Sequence, residues 1–170
     1  MADLEWGTLD TRFGRVHVAT SPEGLARVYL PSERRPAGVP VTGSAEPSEP
    51  VAAVLFELTG YFTGVRTAFR VQIDWSVVSG FRADVLKSLY DRIGWGQVTT
   101  YGELAADVGA PDAARAVGEV MASNPIPIVV PCHRVLASRG AIGGFGGGIE
   151  LKRALLALEG VLPAPLEFES

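Results

Sequence analysis

The sequence predicts a mixed α/β protein of the α+β kind: a small sheet with one helix over residues 1–78, a mainly helical part containing a helix-turn-helix over residues 79–160, and a tail over residues 161–170. Three observations predict it. Apolar and polar residues tend to alternate from Trp6 to Leu30, apolar residues recur at helical spacing in three later stretches, and Thr100-Tyr101-Gly102-Glu103 opens a pair of short helices separated at Gly109. With 170 residues, 47 % of them apolar, the chain can bury roughly 70 % of its unfolded surface, enough for one domain or two small ones.

In the first part, Val16 and Val18 are expected to face one way and Arg15 and His17 the other, the period of a half-buried strand. His17 is therefore predicted on the surface. Ser21-Pro22-Glu23-Gly24 predicts a hairpin turn. Residues 31–50, rich in Pro, Gly, Ser and Glu, predict a mobile surface loop. Val54, Leu55, Leu58, Tyr61 and Phe62 mark a helix, and Phe69 to Ile73 one more strand. No recognisable chemistry falls in this part, which predicts a scaffold.

In the second part, Val85, Leu86, Leu89 and Ile93 form the apolar stripe of a helix from Phe81 to Ile93. Thr100 and Glu103 have the spacing of a capping box, in which hydroxyl and carboxylate satisfy the free amides of a helix start. The helix they open runs to about Val108, where Gly109 ends it. Pro111 suits the first turn of the next helix, and Asp112 sets a negative charge near that helix's positive end. This second helix, about Asp112 to Ala122, presents Ala113, Ala114, Ala116 and Gly118. Tight helix packing explains such small residues, and so does close approach to a nucleic-acid groove.

The charge constrains any such partner. A net charge of −4 does not advertise nucleic-acid binding. Residues 79–160, however, carry eight bases against eight acids, so the acidic excess lies in the first part and the tail. A DNA surface would be local, in the second part, with modest salt dependence. The chain shows no basic-then-apolar leader and no apolar run near the roughly 18 residues of a membrane helix, which predicts a cytoplasmic protein without membrane contact.

Cys132 is the only cysteine, and the two histidines, His17 and His133, lie far apart. That pattern offers no intramolecular disulfide and no zinc spacing, so Cys132 is either a small buried hydrophobe or a reagent. The prolines of Asn124-Pro125-Ile126-Pro127 exclude a helix before Pro131-Cys132-His133-Arg134-Val135. A thiol becomes a strong nucleophile when a neighbour takes its proton, and a histidine is the usual agent. Adjacent side chains diverge, so His133 is expected to act on Cys132 through a water. A carboxylate behind the imidazole would fix its tautomer, and Glu159, ending the apolar helix of Leu151, Leu155, Leu156 and Leu158, is the best-placed candidate. Gly140 to Gly148 form a loop whose bare backbone can approach a ligand closely.

In that order these segments resemble the methylated-DNA–protein-cysteine methyltransferases, also called O6-alkylguanine-DNA alkyltransferases. The similarity runs through Thr99 to Ala105, Ala113 to Gly118, Asn124-Pro125, Ile128 to Val135 and Leu155 to Gly160, and so covers residues 79–160. The first part is similar only in pattern to the family's N-terminal domain, a ribonuclease-H-like sheet with a helix.

The resemblance implies repair of double-stranded DNA by transfer of an alkyl group from O6-alkylguanine, with O4-alkylthymine a further substrate, to Cys132 after the base is flipped out. It implies that Arg115 fills the vacated stack and that Ala113, Ala114, Ala116 and Gly118 face the minor groove. Tyr101 would donate to a ring nitrogen, the carbonyls of Cys132 and Val135 would accept from the guanine amino group, and an amide near Gly146 would donate to oxygen-6. Asn124 would tie the recognition helix to the active-site turn. His133, Glu159 and a water would deprotonate Cys132, and Lys152 matches a lysine the family keeps nearby. Two positions depart from the pattern: Phe145 stands where many relatives have tyrosine, keeping an aromatic wall without its hydroxyl, and Glu119 sets an acid close to phosphates, where pairing with Arg115 four residues earlier is expected.

Chemistry alone supplies the stoichiometry. Attack of a thiolate on saturated carbon leaves a thioether, which lacks the carbonyl through which water hydrolyses a thioester. A single-use protein with no metal and no organic cofactor results; separately, a monomer is expected. Three other classes are distinguishable: a non-catalytic binder of alkylated DNA would gain no mass, a helix-turn-helix regulator would expose polar base-reading side chains on its second helix, and a Cys-His hydrolase would turn over repeatedly.

Overall fold

The computed structural model describes residues 3–34, 37, 39 and 46–163. The chain forms two compact units: the first runs to Ala83 and also takes in Pro125–Val129, and the second holds Asp84–Asn124 and the chain from Val130 onward.

In the first unit, β1 (Glu5–Thr11), β2 (Gly14–Ser21) and β3 (Gly24–Tyr29) make an antiparallel sheet in sequence order. Pro22 and Glu23 form the predicted hairpin between the paired residues Ser21 and Gly24. The Ser21 hydroxyl accepts from the Glu23 amide at 3.0 Å and donates to Asp74 at 2.6 Å. Gly24, at φ +135°, has the Gln72 carbonyl oxygen only 2.6 Å from where a Cβ would sit, so no larger residue fits there. Helix α1 (Glu49–Phe62) lies against β1 and β2 and buries Val51, Val54, Leu58, Tyr61 and Phe62. Pro50 in its first turn suits a helix start, so the helix begins inside the stretch predicted as a loop; most of residues 35–45 lie outside the described residues.

Two expectations for this unit are corrected. The alternation fails in β2, which is the central strand and buried from Val16 to Ser21. His17 is only 8 % exposed rather than on the surface, and its Nδ1 shares a 2.9 Å hydrogen bond with Thr8 on the neighbouring strand. Residues 69–73 form no strand; they make a single parallel bridge, Ile73 to Leu25. Competing partners explain this: the Glu57 carboxylate takes the amides of Arg70 and Val71 at 2.7 and 3.2 Å, and Asp74 caps a 3₁₀ turn at Trp75–Val77.

Pro125–Val129 joins this unit through the Val28 amide, which donates to the Pro125 carbonyl at 3.0 Å. Ile126, Ile128 and Val129 are buried. Ile128 sits at φ +75°, a left-handed conformation that is a clear outlier for a β-branched residue and costs about 1–3 kcal/mol. Burial of its side chain, 1 % exposed, returns roughly 1.5–3 kcal/mol against that strain.

Helix α2 (Gly80–Arg92) buries Val85, Leu86 and Leu89, while Ile93 just beyond its end is half-buried. In the second unit, β4 (Thr99–Thr100) pairs in parallel with β5 (Val135–Leu136). Helix α3 (Tyr101–Asp107) starts at once after β4, with the capping box between Thr100 and Glu103 formed in both directions. Gly109, at φ +81°, ends it: the Ala110 amide reaches the Ala105 carbonyl and the Gly109 amide that of Ala106, the paired bonds of a Schellman motif.

Helix α4 (Ala114–Ala122) begins two residues later than predicted. Pro111 and Asp112 instead occupy a turn closed by the Ala113 amide on the Ala110 carbonyl at 2.9 Å. Proline suits the second position of a turn as well as it suits a first helical turn, and here the turn prevails. Helix α5 (Ile149–Leu158) completes the unit, burying Lys152, Leu155 and Leu156. No helix among the described residues is long and apolar enough to cross a membrane.

Candidate active site

Cys132 opens a short 3₁₀ turn, Cys132–Arg134, which runs directly into β5. The parallel pairing of β5 with β4 sets Tyr101, the first residue of α3, near this turn. Pro131, at φ −84° and ψ 67°, has the geometry of an inverse γ-turn, closed by the Cys132 amide on the Val130 carbonyl at 2.8 Å. The same carbonyl accepts from Asn124 Nδ2 at 2.9 Å. Asn124 lies two residues beyond α4, so one side chain links the end of that helix to the turn that presents the thiol.

Cys132 is 5 % exposed. It shares a cavity of about 240 Å³ with Tyr101 from α3, Gly118, Met121 and Ala122 from α4, and Gly144, Phe145 and Gly146 from the glycine loop. That volume is below the 300–1,000 Å³ usual for drug-sized ligands and suits one flat heteroaromatic ring between the aromatic walls of Tyr101 and Phe145. A larger cavity in the first unit, about 460 Å³, is lined by residues such as Asp3, Thr20, Leu25 and Gln72 and contains no cysteine or histidine. Nucleophile chemistry therefore belongs to the smaller one.

Behind the thiol lies a buried polar chain. His133 is fully buried and its Nε2 lies 2.7 Å from Glu159 Oε2. Arg134 donates from Nε to Glu159 Oε1 at 2.7 Å and from Nη2 to Oε2 at 3.1 Å. Its Nη1 donates to the Ile93 carbonyl at 2.8 Å. Burial pushes the Glu159 carboxyl up, but the hydrogen bonds from His133 and Arg134 outweigh it and bring the carboxyl down to about 2. A carboxylate only accepts, so Nε2 of His133 carries the proton and Nδ1 is the basic nitrogen. Burial lowers the pKa of His133, with the cations Arg134 and Lys152 adding to it and Glu159 opposing. The imidazole is therefore neutral at physiological pH, as a proton acceptor must be.

Lys152 is the second buried cation. Its Nζ donates to the Val135 carbonyl at 2.7 Å and the Gly144 carbonyl at 3.0 Å, holding the glycine loop against β5. Burial brings it down to about 8, with the charge of Cys132 acting in the opposite direction. Val135 thus gives one lone pair to Lys152 and keeps another. Burial raises the Tyr101 hydroxyl, partly offset by a hydrogen bond from the Gly144 backbone, so it remains a neutral phenol and a competent donor. Gly143, at φ +71°, lies where a Cβ would come within 3.1 Å of the Tyr101 oxygen and 3.5 Å of Lys152 Nζ.

The predicted residues therefore fall into three groups. Tyr101, Cys132, Gly118, Phe145 and Gly146 line the cavity; His133, Glu159, Lys152, Asn124 and Val135 stand around it. Arg115, Ala113, Ala114 and Ala116 do not line it; Arg115 is exposed on α4 and the three alanines are half-buried. The expected Arg115–Glu119 pair is absent among the described residues' ion pairs, and both side chains are exposed. With arginine on the N-terminal side, the pair would have the weaker of the two helical orientations, worth only tenths of a kcal/mol in water (about 0.2–0.5 at best). Sequence reasoning missed Met121 and Ala122 as cavity walls, Gly143 as a forced glycine, and Arg134 as a partner of Glu159. Met121 could have been found three residues after Gly118, one helical turn along the same face.

A curated methylated-DNA–protein-cysteine methyltransferase from Mycolicibacterium paratuberculosis is 39 % identical to this chain, and the match covers 92 % of each. The chain belongs to this family. The methyltransferase of Homo sapiens is 36 % identical over 93 % of this chain and 81 % of its own length. A model of the 6-O-methylguanine DNA methyltransferase DNA-binding domain matches residues 80–161, which hold every residue of the Cys132 site. A crystal structure of Mycobacterium tuberculosis OGT in complex with DNA is similar with a TM-score of 0.79 and 36 % identity, covering 94 % of each chain. The methyltransferase fold expected from sequence, a small sheet with a helix followed by a helical part with a helix-turn-helix, is the fold observed.

Proposed function

We propose that the protein repairs alkylated double-stranded DNA by moving the alkyl group of O6-alkylguanine onto Cys132, once per molecule. The observation that carries this is a ring-sized cavity with a thiol in its wall and a buried neutral imidazole, backed by a carboxylate, next to that thiol in sequence. In the step itself, His133 Nδ1 takes the Cys132 proton through a water, and the sulfur attacks the alkyl carbon. The carbon–oxygen bond breaks toward the guanine, which accepts a proton from Tyr101 as it leaves. Phe145 and Tyr101 supply walls for the base, the carbonyls of Cys132 and Val135 accept from its amino group, and the Gly146 region offers backbone amide to oxygen-6.

Helix α4 is the DNA-contacting element. Its exposed Arg115 fills the gap left by the flipped base, and Ala113, Ala114, Ala116 and Gly118 permit close approach to the minor groove. Asn124 holds α4 in register with the Cys132 turn, and Lys152 keeps the glycine loop in place. Residues 79–160 thus bind DNA and carry the transfer, residues 1–78 serve as scaffold, and the protein works as a monomer without a cofactor. A thiol that must stay reduced until it reacts fits the cytoplasm.

Intact-mass measurement after incubation with a duplex containing O6-methylguanine tests the reading. Wild type gains one methyl, about 14 Da, and no more; Cys132→Ser gains nothing. A second equivalent of product per protein, or binding of the lesion with no mass gain, overturns it.

A further inference from the structure

We propose that Arg134 is a positioning residue of the alkyl transfer: by donating to both oxygens of Glu159 it keeps that group a pure acceptor, fixes His133 as its Nε2–H tautomer, and sets the pH above which His133 can take the Cys132 proton. The inference rests on the reading of Cys132 as alkyl acceptor.

Three bonds carry it. Two guanidinium N–H groups meet Glu159 at 2.7 and 3.1 Å, and the third, to the Ile93 carbonyl at 2.8 Å, fixes the plane of the fork. His133 Nε2 meets the same carboxylate at 2.7 Å. All three side chains are buried, with at most 7 % of any one exposed, so the interactions are little screened by solvent. An isolated His–Glu pair would let the carboxylate draw the proton across, or hold the imidazole as a cation. With the guanidinium present, negative charge on Glu159 is already compensated, and a second positive charge on His133 is opposed. The other charged group that bears on His133 is Lys152 from α5, a further cation; the Phe145 ring meets the imidazole edge-to-face with centroids 6.5 Å apart. Tyr101 on the α3 side of the cavity remains uncharged.

If Arg134 only tied the end of α2 to the end of α5, its loss would lower the rate equally at every pH. As a positioning residue it moves the profile. The second-order rate constant for methyl transfer from an O6-methylguanine duplex should rise with pH along an acid limb. Its midpoint should move up by about one pH unit in Arg134→Gln, and by less in Arg134→Lys, which keeps a cation but not the fork. Both variants are checked for fold by circular dichroism and for retained duplex binding. Variants that share the wild-type midpoint and differ only in plateau overturn the proposal. Wild-type protein provides an independent measurement: nitrogen-15 shifts of His133 at neutral pH should report the Nε2–H tautomer, and the Nδ1–H tautomer refutes the inference even where neither variant folds. Absence of methyl mass on wild type would instead sink the reading of Cys132 on which this rests.

Discussion

Lys152 shows what a single buried charge does to the balance of this site. Its ammonium has its ordinary pKa of 10.5 lowered to about 8 by burial, yet both of its described hydrogen bonds go to carbonyls rather than to an acid. Between about pH 8 and 10.5 the unfolded chain holds more protons at this side chain than the folded one, so this group makes the fold more stable as pH rises through that window. The unfavourable part, burial of the charge, is present at neutral pH. Urea titrations at pH 7.5 and 10 should show wild type gaining on the order of 2 kcal/mol more than Lys152→Met over that interval; equal changes in the two proteins would contradict it. The slope has the same sign for Glu159 but a different origin, since there the charged form is the stabilised one: its lowered carboxyl stabilises the fold above about pH 4.5 and loses that contribution as pH falls toward 2.

At the scale of elements, α4 buries one face and leaves the opposite one exposed. Val117, Val120 and Met121 are buried, while Arg115 and Glu119 are exposed one turn apart. Without an ion pair to Arg115, Glu119 presents an uncompensated negative charge on the helix proposed to meet phosphates. Glu119→Gln should tighten duplex binding several-fold at low salt, with the gain shrinking as salt is added; unchanged affinity at low salt would remove the electrostatic argument. The capping box, the glycine stop and the hydrophobic spacing made α2, α3 and α5 legible in the sequence, because each signal is local. The start of α4 was not, since Pro111 satisfies a turn and a helix start equally. Nor was the burial of His17: alternation predicts one wet face, and only tertiary contacts show that the central strand has none. The His133–Glu159 contact was legible from residue chemistry and order, whereas Arg134 joined it through a contact 25 residues away.

For the molecule as a whole, the two units are not two consecutive lengths of chain. The polypeptide enters the first unit, leaves at Ala83, returns for Pro125–Val129 and leaves again two residues before Pro131-Cys132. A fragment spanning residues 79–170 would carry every proposed catalytic group yet lack the strand whose Val28 amide holds Pro125. Such a fragment should transfer methyl at least tenfold more slowly than the full chain, by the loss of a precisely held reacting geometry; full activity in the fragment would show that the first unit is dispensable.

The left-handed backbone at Ile128 has a practical corollary for anyone who redesigns this protein. A conformation that a β-branched residue resists survives only where its surroundings leave no alternative, so the five-residue stretch around it tolerates neither lengthening nor slack. Tags, split points and circularly permuted ends belong at the exposed tip of the Pro22-Glu23 hairpin. Placed between Asn124 and Val130, even one inserted glycine should leave a protein that still recognises its duplex while its sulfur points at the wrong atom.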